Sequence, residues 1–281
     1  MSGPVSPEGK PLELKLPGLP PEYRLAAFEI LGSTNDEAKR LAREEGAVHG
    51  TLVWATRQEA GKGRRGRTWV SPEGNVYASL ILRPECATAT AAQLSFVAAG
   101  ALADALQPLL PEAVCCCKWP NDVLIDDRKV AGILLESETD ASGGLEWLVL
   151  GIGINVQHFP SDAEFPATSL RNEGGRLDQP GPVLVRFIQA FSTWYEVWHK
   201  DGFEPIREGW LQTARGIGGP VTVRLEKQTL AGTFADLDSD GALLLELPSG
   251  ERRRITAGDV FFPGLISSSS PGSPTPPPKT D

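Results

Sequence analysis

The chain is poor in cysteine: it has four, and no two form a CxxC pair, because Cys86 stands alone and Cys115, Cys116 and Cys117 are consecutive. Three adjacent thiols on an extended segment cannot converge on one tetrahedral metal, since alternate side chains point to opposite faces. The thiols are read as small apolar residues of a reduced compartment, and a disulfide framework is ruled out. Histidine is scarcer still. His49, His158 and His199 are the three, none beside another ligand at zinc-site spacing, so no residue is assigned as a direct metal ligand. No apolar run is expected to approach the ~18 residues of a membrane span, and no basic segment precedes an apolar stretch at the N-terminus. A cationic surplus is missing too: 27 Lys and Arg face 36 Asp and Glu, for a net charge of −9. Phosphate contacts need surplus cations, so general nucleic-acid binding is excluded. The expected location is cytoplasmic, with neither membrane nor nucleic acid as partner.

What is present is ordinary globular material, 41% apolar and 22% charged over 281 residues, enough for one large domain or two unequal ones. Residues 1–24 carry six prolines and read as an extended arm. Residues 25–215 mix helices with strands. A helix is expected from Ser33, with Thr34 and Glu37 in capping-box spacing and Gly46 as its stop. Thr51 to Ala55 and Val76 to Leu82 are β-prone, and Thr90 to Gln107 reads as one buried helix. Strands follow near Val114–Lys118, Val130–Glu138 and Trp147–Val156, then helices over Pro182–Lys200 and Phe203–Ala214. Residues 216–265 change texture to short strands separated by turns at Asp238–Gly241 and Pro248–Gly250, a small β-barrel. Residues 266–281 are a low-complexity serine and proline tail, expected to be disordered.

Three clusters carry chemistry. Between Gly61 and Arg67, four cations (Lys62, Arg64, Arg65, Arg67) alternate with Gly61, Gly63 and Gly66. Glycines permit close backbone approach and leave amides free for a ligand, and guanidinium forks suit carboxylate and phosphate. The match to GxGxxG is rejected, because a polar segment precedes it and turn residues follow it where a helix should begin. In the second cluster a strand delivers Lys118, Pro120 breaks it, Asn121 and Asp122 turn the chain, and a second strand begins at Lys129. That hairpin brings Lys118, Asp122 and Lys129 to one sheet end. In the third, Gly151 and Gly153 interrupt a strand that ends at Asn155, which marks either close approach to the strand or a β-bulge.

Taken together, Ser33-Thr34-Asn35, the Gln58–Arg67 loop, Lys118–Asp122, Arg128–Ile133 and Gly151–Asn155 resemble the biotin–protein ligases, over about Leu25 to Phe262. The resemblance implies an α+β fold: a mixed β-sheet with packed helices, of the class II synthetase and biotinyl/lipoyl ligase kind, plus a small C-terminal SH3-like β-barrel. It implies that ATP and Mg²⁺ activate biotin as biotinyl-5′-adenylate, with pyrophosphate released. The biotinyl group then passes to one lysine of a biotin carboxyl carrier protein, releasing AMP.

Carried over residue by residue, Ser33, Thr34, Asn35, Gln58, Gly61, Lys62, Gly63, Arg64, Lys129 and Gly132 would contact biotin. Arg65, Arg67, Trp69, Lys118, Asn121 and Asn155 would hold ATP, Trp69 offering a flat face near the adenine. Arg64, Lys129 and Asp122 would be catalytic, Asp122 by accepting the proton of the attacking lysine or orienting its amine. Lys62 departs from the arginine that many members carry there. Members that also repress transcription carry a helix-turn-helix ahead of the catalytic core, and the proline-rich arm shows no two-helix pattern. A monofunctional ligase is therefore expected, as a monomer or a homodimer. The competing readings are a lipoate–protein ligase type of acyl transfer and a catalytically inactive biotin-binding protein.

Overall fold

The computed structural model describes residues 11–263. The first ten residues of the arm and the whole serine and proline tail, 266–281, lie outside the described residues. The larger sheet holds β1 (Arg24–Leu31), β2 (Thr51–Gln58), β3 (Val76–Leu82), β4 (Cys115–Lys118), β5 (Asp122–Ile125), β6 (Arg128–Thr139) and β7 (Leu145–Ile154). Their order is β1-β2-β3-β7-β6-β5-β4. Only β1 and β2 run parallel, and that pairing requires a crossover, supplied by α1 (Thr34–Glu44). The other helices are α2 (Thr88–Ala91), α3 (Leu94–Leu106), α4 (Pro180–Asp201) and α5 (Phe203–Gln212).

Alternation along the strands divides the core. Val76, Ala78, Leu80 and Leu82 of β3 pack with α3, α4 and α5 on one face. Val53 and Ala55 of β2, Ile81 of β3 and Trp147 and Val149 of β7 pack under Ala38, Leu41 and Ala42 of α1 on the other. The single helix expected over Thr90–Gln107 is broken into α2 and α3. The helical segment Thr88–Leu109 is also long and apolar enough to pass for a membrane span, which corrects the expectation that no such run exists. A helix apolar on all sides is one buried on all sides, and 72% of this segment's apolar window is buried inside the fold. Gly100 lets α4 come close: a Cβ there would collide with the Trp194 ring, whose Nε1 donates to Asp104 at 2.7 Å.

Two local expectations fail for identifiable reasons. Ser33 is the N-cap of α1 with no side-chain cap bond, so the Thr34–Glu37 capping box does not form. The Thr34 hydroxyl donates to Gln58 instead. Asp122 is not in a turn. It opens β5, paired with Lys118 of β4, and the reversal falls on Trp119–Asn121, with a cis Trp119–Pro120 bond. β5 was missed because Val123, Leu124 and Ile125 are too few to show a period. Its return turn uses Asp126 and Asp127 at φ 45° and 66°, left-handed values that Asp tolerates better than most residues. Two of the four thiols are buried as expected, while Cys86 and Cys116 are only partly so. Cys115 and Cys117 are buried, and burial pushes the half-buried Cys116 up to about 11.

The smaller sheet is antiparallel, with β8 (Pro220–Arg224), β9 (Thr229–Leu237), β10 (Leu243–Glu246), β11 (Arg252–Ile255) and β12 (Asp259–Phe261) in the order β11-β10-β9-β8-β12. Its two edges, β11 and β12, follow each other directly in sequence. Four residue steps span at most about 14 Å, so the sheet must curl until its edges approach, as in an SH3-like fold. β12 was not anticipated, and it sets Asp259 beside Arg224 of β8. The sheet is fastened to the larger one: Trp119 Nε1 donates to the Gly241 carbonyl at 3.0 Å, and Arg207 of α5 donates to the Leu237 carbonyl at 2.9 Å.

Candidate active site

A cavity of about 490 Å³ opens at the N-terminal end of α1, over the glycines of β6 and β7 and up to the smaller sheet. Its first wall is a set of amides and hydroxyls. Gln58 Oε1 accepts from the Thr34 amide at 2.8 Å and from the Thr34 hydroxyl at 3.0 Å. Ser79 Oγ lies 2.8 Å from Thr34 Oγ1 and donates to Asn35 Oδ1 at 2.6 Å. Asn35 Nδ2 then donates to Glu136 at 2.8 Å. Ser33, Thr34 and Asn35 are all buried and all line the cavity. Ser79 and Glu136 were not anticipated, although a serine inside the apolar run Val76–Leu82 was a usable signal.

The floor explains the glycines. Gly132 and Gly153 are paired across β6 and β7, and the register runs without a shift through Gly151 and Gly153, so the β-bulge reading is wrong. The close approach comes from side chains. A Cβ on Gly153 would lie 2.5 Å from the Trp69 indole, one on Gly132 3.0 Å from it, and one on Gly151 would collide with Asn35. Trp69 therefore lies flat on the sheet, its Nε1 buried without a partner and its ring centroid 5.2 Å from Lys129 Nζ. Asn155, at the strand end, donates to the Thr168 carbonyl at 3.0 Å.

The second wall is the β4–β5–β6 meander. It brings Lys118, Asp122 and Lys129 together as expected: Lys129 Nζ is 2.6 Å from Asp122 Oδ1, and Lys118 Nζ is 3.9 Å from Asp122 Oδ2. Lys118 Nζ also lies 3.9 Å from the Phe165 ring centroid. Burial lowers the Lys118 pKa, which Asp122 only partly offsets. Asn121 is fixed by donating to the Ile133 carbonyl at 2.6 Å, and its Oδ1 accepts from Arg64 at 2.8 Å.

The glycine loop forms the third wall, and it departs from expectation in two ways. Its amides are not free as a set: Gly63 donates to Arg67, Arg67 to Arg64 and Trp69 to Gly61. Its cations are not unpaired either. Lys62 meets Asp36 at 2.7 Å, while Arg65 and Arg67 meet Asp259 at 3.1 and 2.6 Å. Arg64 alone of the four has no carboxylate within ion-pair distance among the described residues, and burial lowers its pKa. Gly61 and Arg65 do not line the cavity. Gly61 packs beneath Trp69, Ser71 and Gln58, and Arg65 turns away to Asp259. Loop residues 160–167, with Glu164 and Phe165, close the remaining side. Sequence reasoning found neither them nor Asp259, which carries no local signal.

The arrangement presents neutral donors and acceptors at one end and converging cations at the other. A molecule with an uncharged polar head and a carboxylate would span the two, and a second anion could meet that carboxylate among the cations. No group of three or more His, Cys, Asp or Glu suited to a metal ion occurs among the described residues.

Comparisons with known proteins show what the chain is similar to. The model of the biotin/lipoate A/B protein ligase family matches residues 27–155, and that of the biotin protein ligase C-terminal domain matches residues 216–262. The chain is 42% identical over 238 residues to a biotin–[acetyl-CoA-carboxylase] ligase of Paracoccus denitrificans, covering 83% of this chain and 98% of that protein. It is 37% identical to the bifunctional ligase/repressor BirA of Bacillus subtilis, over 83% of this chain and 72% of that protein. Among solved structures, the biotin protein ligase of Aquifex aeolicus in complex with biotin and ATP superimposes with a TM-score of 0.72 at 27% identity, covering 85% of this chain and 97% of that one.

Proposed function

From the premise that the chain belongs to the biotin/lipoate A/B protein ligase family and is a ligase of its biotin protein ligase branch, we propose that it makes biotinyl-5′-adenylate from biotin and ATP and transfers the biotinyl group to a lysine of a biotin carboxyl carrier protein. The observation that carries this reading is that one cavity is lined by the Thr34–Asn35–Gln58 cluster and by Arg64 and Lys129 together. A ureido ring offers one acceptor oxygen and two N–H donors, which hydroxyl and amide side chains complement. The valeryl carboxylate then reaches the cations.

In the first step a carboxylate oxygen of biotin attacks the α-phosphorus of ATP. An O–P bond forms, and the bond to the β-phosphate oxygen breaks, releasing pyrophosphate. Two anions must be brought together. Arg64, held by Asn121 and with no carboxylate within ion-pair distance among the described residues, is the residue whose charge is available to bridge them, and Lys129 supplies a second cation from the sheet. Arg67 and Lys118 extend the positive field toward the leaving pyrophosphate. Trp69 and the glycines beneath it give a flat, water-excluding floor, and Asn155 fixes the strand end beside it.

In the second step the carrier lysine attacks the acyl carbon of the mixed anhydride, the C–O bond to AMP breaks, and the amine loses a proton. Asp122, which lines the cavity with its Oδ1 2.6 Å from Lys129 Nζ, would take that proton or orient the amine. The donors among the described residues do not make a resident Mg²⁺ site. Asp122 and Asp259 are already matched to cations, and no three-ligand cluster exists among the described residues. A Mg²⁺ entering with ATP would have phosphate oxygens as its main ligands.

The test is incubation of the purified chain with a biotin carrier domain, ATP and either biotin or lipoate, read by intact mass beside a carrier Lys→Arg control. One biotinyl group gained with biotin only, and absent from the control, is the expected result. Gain with lipoate in its place would move the substrate. Biotin binding with neither mass gain nor pyrophosphate release would make the chain a binding protein.

A further inference from the structure

Asp259 is the acid around which the smaller sheet, the glycine loop and the 160–167 loop are joined. Its side chain is 9% exposed, yet it meets three guanidinium groups: Arg67 at 2.6 Å, Arg65 at 3.1 Å and Arg224 at 3.4 Å. All three approach the same oxygen, Oδ2, and Oδ1 has only a long contact of 3.5 Å to Arg67. Glu164 adds a second acid, 2.6 Å from Arg224 and 3.6 Å from Arg67. Asp259 and Arg67 both line the cavity, so this pair forms part of its wall.

Three forks on one oxygen are poorly served. Each guanidinium can donate to two acceptors in its plane, and one carboxylate cannot present bidentate edges to three of them. A polyphosphate, with several oxygens and more charge, can. Arg65 also holds φ 56° and ψ 36°, a left-handed conformation that costs a non-glycine residue free energy. Its one ion pair among the described residues is with Asp259.

We propose that Asp259 is an internal counter-anion for the nucleotide: its carboxylate holds the loop arginines when no polyphosphate is bound, yields them to ATP, and takes them back as pyrophosphate leaves. The inference rests on the reading that the polyphosphate lies against Arg67; Arg65, outside the cavity lining while it is paired with Asp259, would turn in to join it. No covalent step is involved. An uncompensated arginine cluster would bind pyrophosphate tightly and slow its release, and product release limits many enzymes. A carboxylate anchored on a separate sheet competes for the same cations at a fixed position. Burial opposes ionisation of Asp259, but its bond to Arg67 and the neighbouring arginines outweigh this and hold its carboxyl below the ordinary range. The competitor is therefore charged throughout the neutral range.

A purely structural tether predicts the opposite sign, which makes the idea testable. Asp259→Asn removes the charge but keeps the shape and one acceptor. ATP alone and inorganic pyrophosphate alone are titrated calorimetrically into the whole chain and into this variant, with biotin titrated as a control for folding. The expected result is tighter binding of both phosphates by about three- to tenfold, as for removal of one screened charge beside an anion. Inhibition of turnover by pyrophosphate should strengthen in parallel, and biotin affinity should stay unchanged.

Unchanged or weaker phosphate binding in a variant that still binds biotin overturns the counter-anion and leaves Asp259 a tether. Failure of the unaltered chain to bind ATP or pyrophosphate at all overturns the nucleotide reading, and this inference with it. If Asp259→Asn loses biotin binding, Asp259→Ser is measured in its place, with the same two signs deciding.

Discussion

Two charged walls face each other across the cavity, and they are built on different principles. On the sheet wall, Lys118, Asp122 and Lys129 belong to one meander, and strand pairing sets their spacing: Lys118 pairs with Asp122 across β4 and β5, and across β5 and β6 Asp122 pairs with Gly132 and, past an irregularity between Val123 and Leu124, Leu124 with Lys129. On the loop wall, every cation reaches for a distant partner. Lys62 finds Asp36 at a separation of 26 residues, Arg64 finds Asn121 at 57, and Arg67 finds Asp259 at 192. Register buried in a sheet offers the side chains few alternatives. On the loop wall the cations themselves are partly exposed and compete with water, and a pair exposed on both sides, such as Lys62–Asp36, is worth about 0–1 kcal/mol. The sheet wall can thus hold reacting atoms to a fixed geometry, while the loop wall can open and close at low cost.

The largest effect tests whether Arg64 belongs with the wall it is bonded to or the loop it comes from. Arg64→Ala and Lys129→Ala should each lower adenylate formation by about 10²–10³, read as pyrophosphate release at saturating biotin and ATP. A loss below tenfold in Arg64→Ala alone would class Arg64 with the closing elements. Next comes Asp122→Asn. It should slow transfer to the carrier by about 10–10² more than it slows adenylate formation, measured as separate half-reactions. Equal losses in both would make Asp122 a partner of Lys129 in the first step.

The same contrast explains what was legible in the sequence. The meander's clustering was readable because its chemistry lies within one short stretch, even though β5 itself was missed. The loop's residue types were readable and its partners were not. Nothing near Asp259, in a three-residue strand, says that it faces the arginines of the glycine loop. Asp36 looked like the first turn of a helix and nothing more. The glycines of β7 announced a close approach, but whether a ligand or Trp69 makes it depends on how residues 61–69 fold back. Local pattern fixed most of the strands and helices for the ordinary reason that burial follows period. It failed at the α1 cap, where Thr34 had a better acceptor in Gln58.

Smaller is the effect of filling the floor. In Gly153→Ala the new methyl would sit 2.5–2.7 Å from the Trp69 indole, so the ring must lift from the sheet. Overpacking of this kind costs about 1–3 kcal/mol. A lowered Tm together with a more exposed tryptophan emission is expected. A lowered Tm with unchanged emission would mean that the strand moves and the indole stays, placing Trp69 with the rigid wall.

The smallest effect, Asp36→Asn, bears most directly on the comparison. Asp36 Oδ1 takes Lys62 at 2.7 Å and Lys39 at 3.0 Å, and Lys39 continues to Glu136 at 2.7 Å, so one row of charges joins the loop to β6. Lys62 and Asp36 are 44% and 46% exposed, and an exposed pair contributes well under about 1 kcal/mol. Loss of the acid should therefore speed adenylate dissociation by only about two- to fivefold, followed by release of labelled adenylate. Salt should reproduce the effect in the unaltered chain and add little in the variant. Burial would raise the Asp36 pKa, but its bonds to Lys62 and Lys39 prevail and depress it. A depressed carboxyl contributes above its unfolded value of 3.8 and loses that contribution as pH falls through its folded value. The clip is thus intact across the neutral range, and leakage should be flat in pH until well into acid. A leak a hundredfold faster in Asp36→Asn would show that this one pair holds the loop as firmly as register holds the sheet, and the distinction between the two walls would fall.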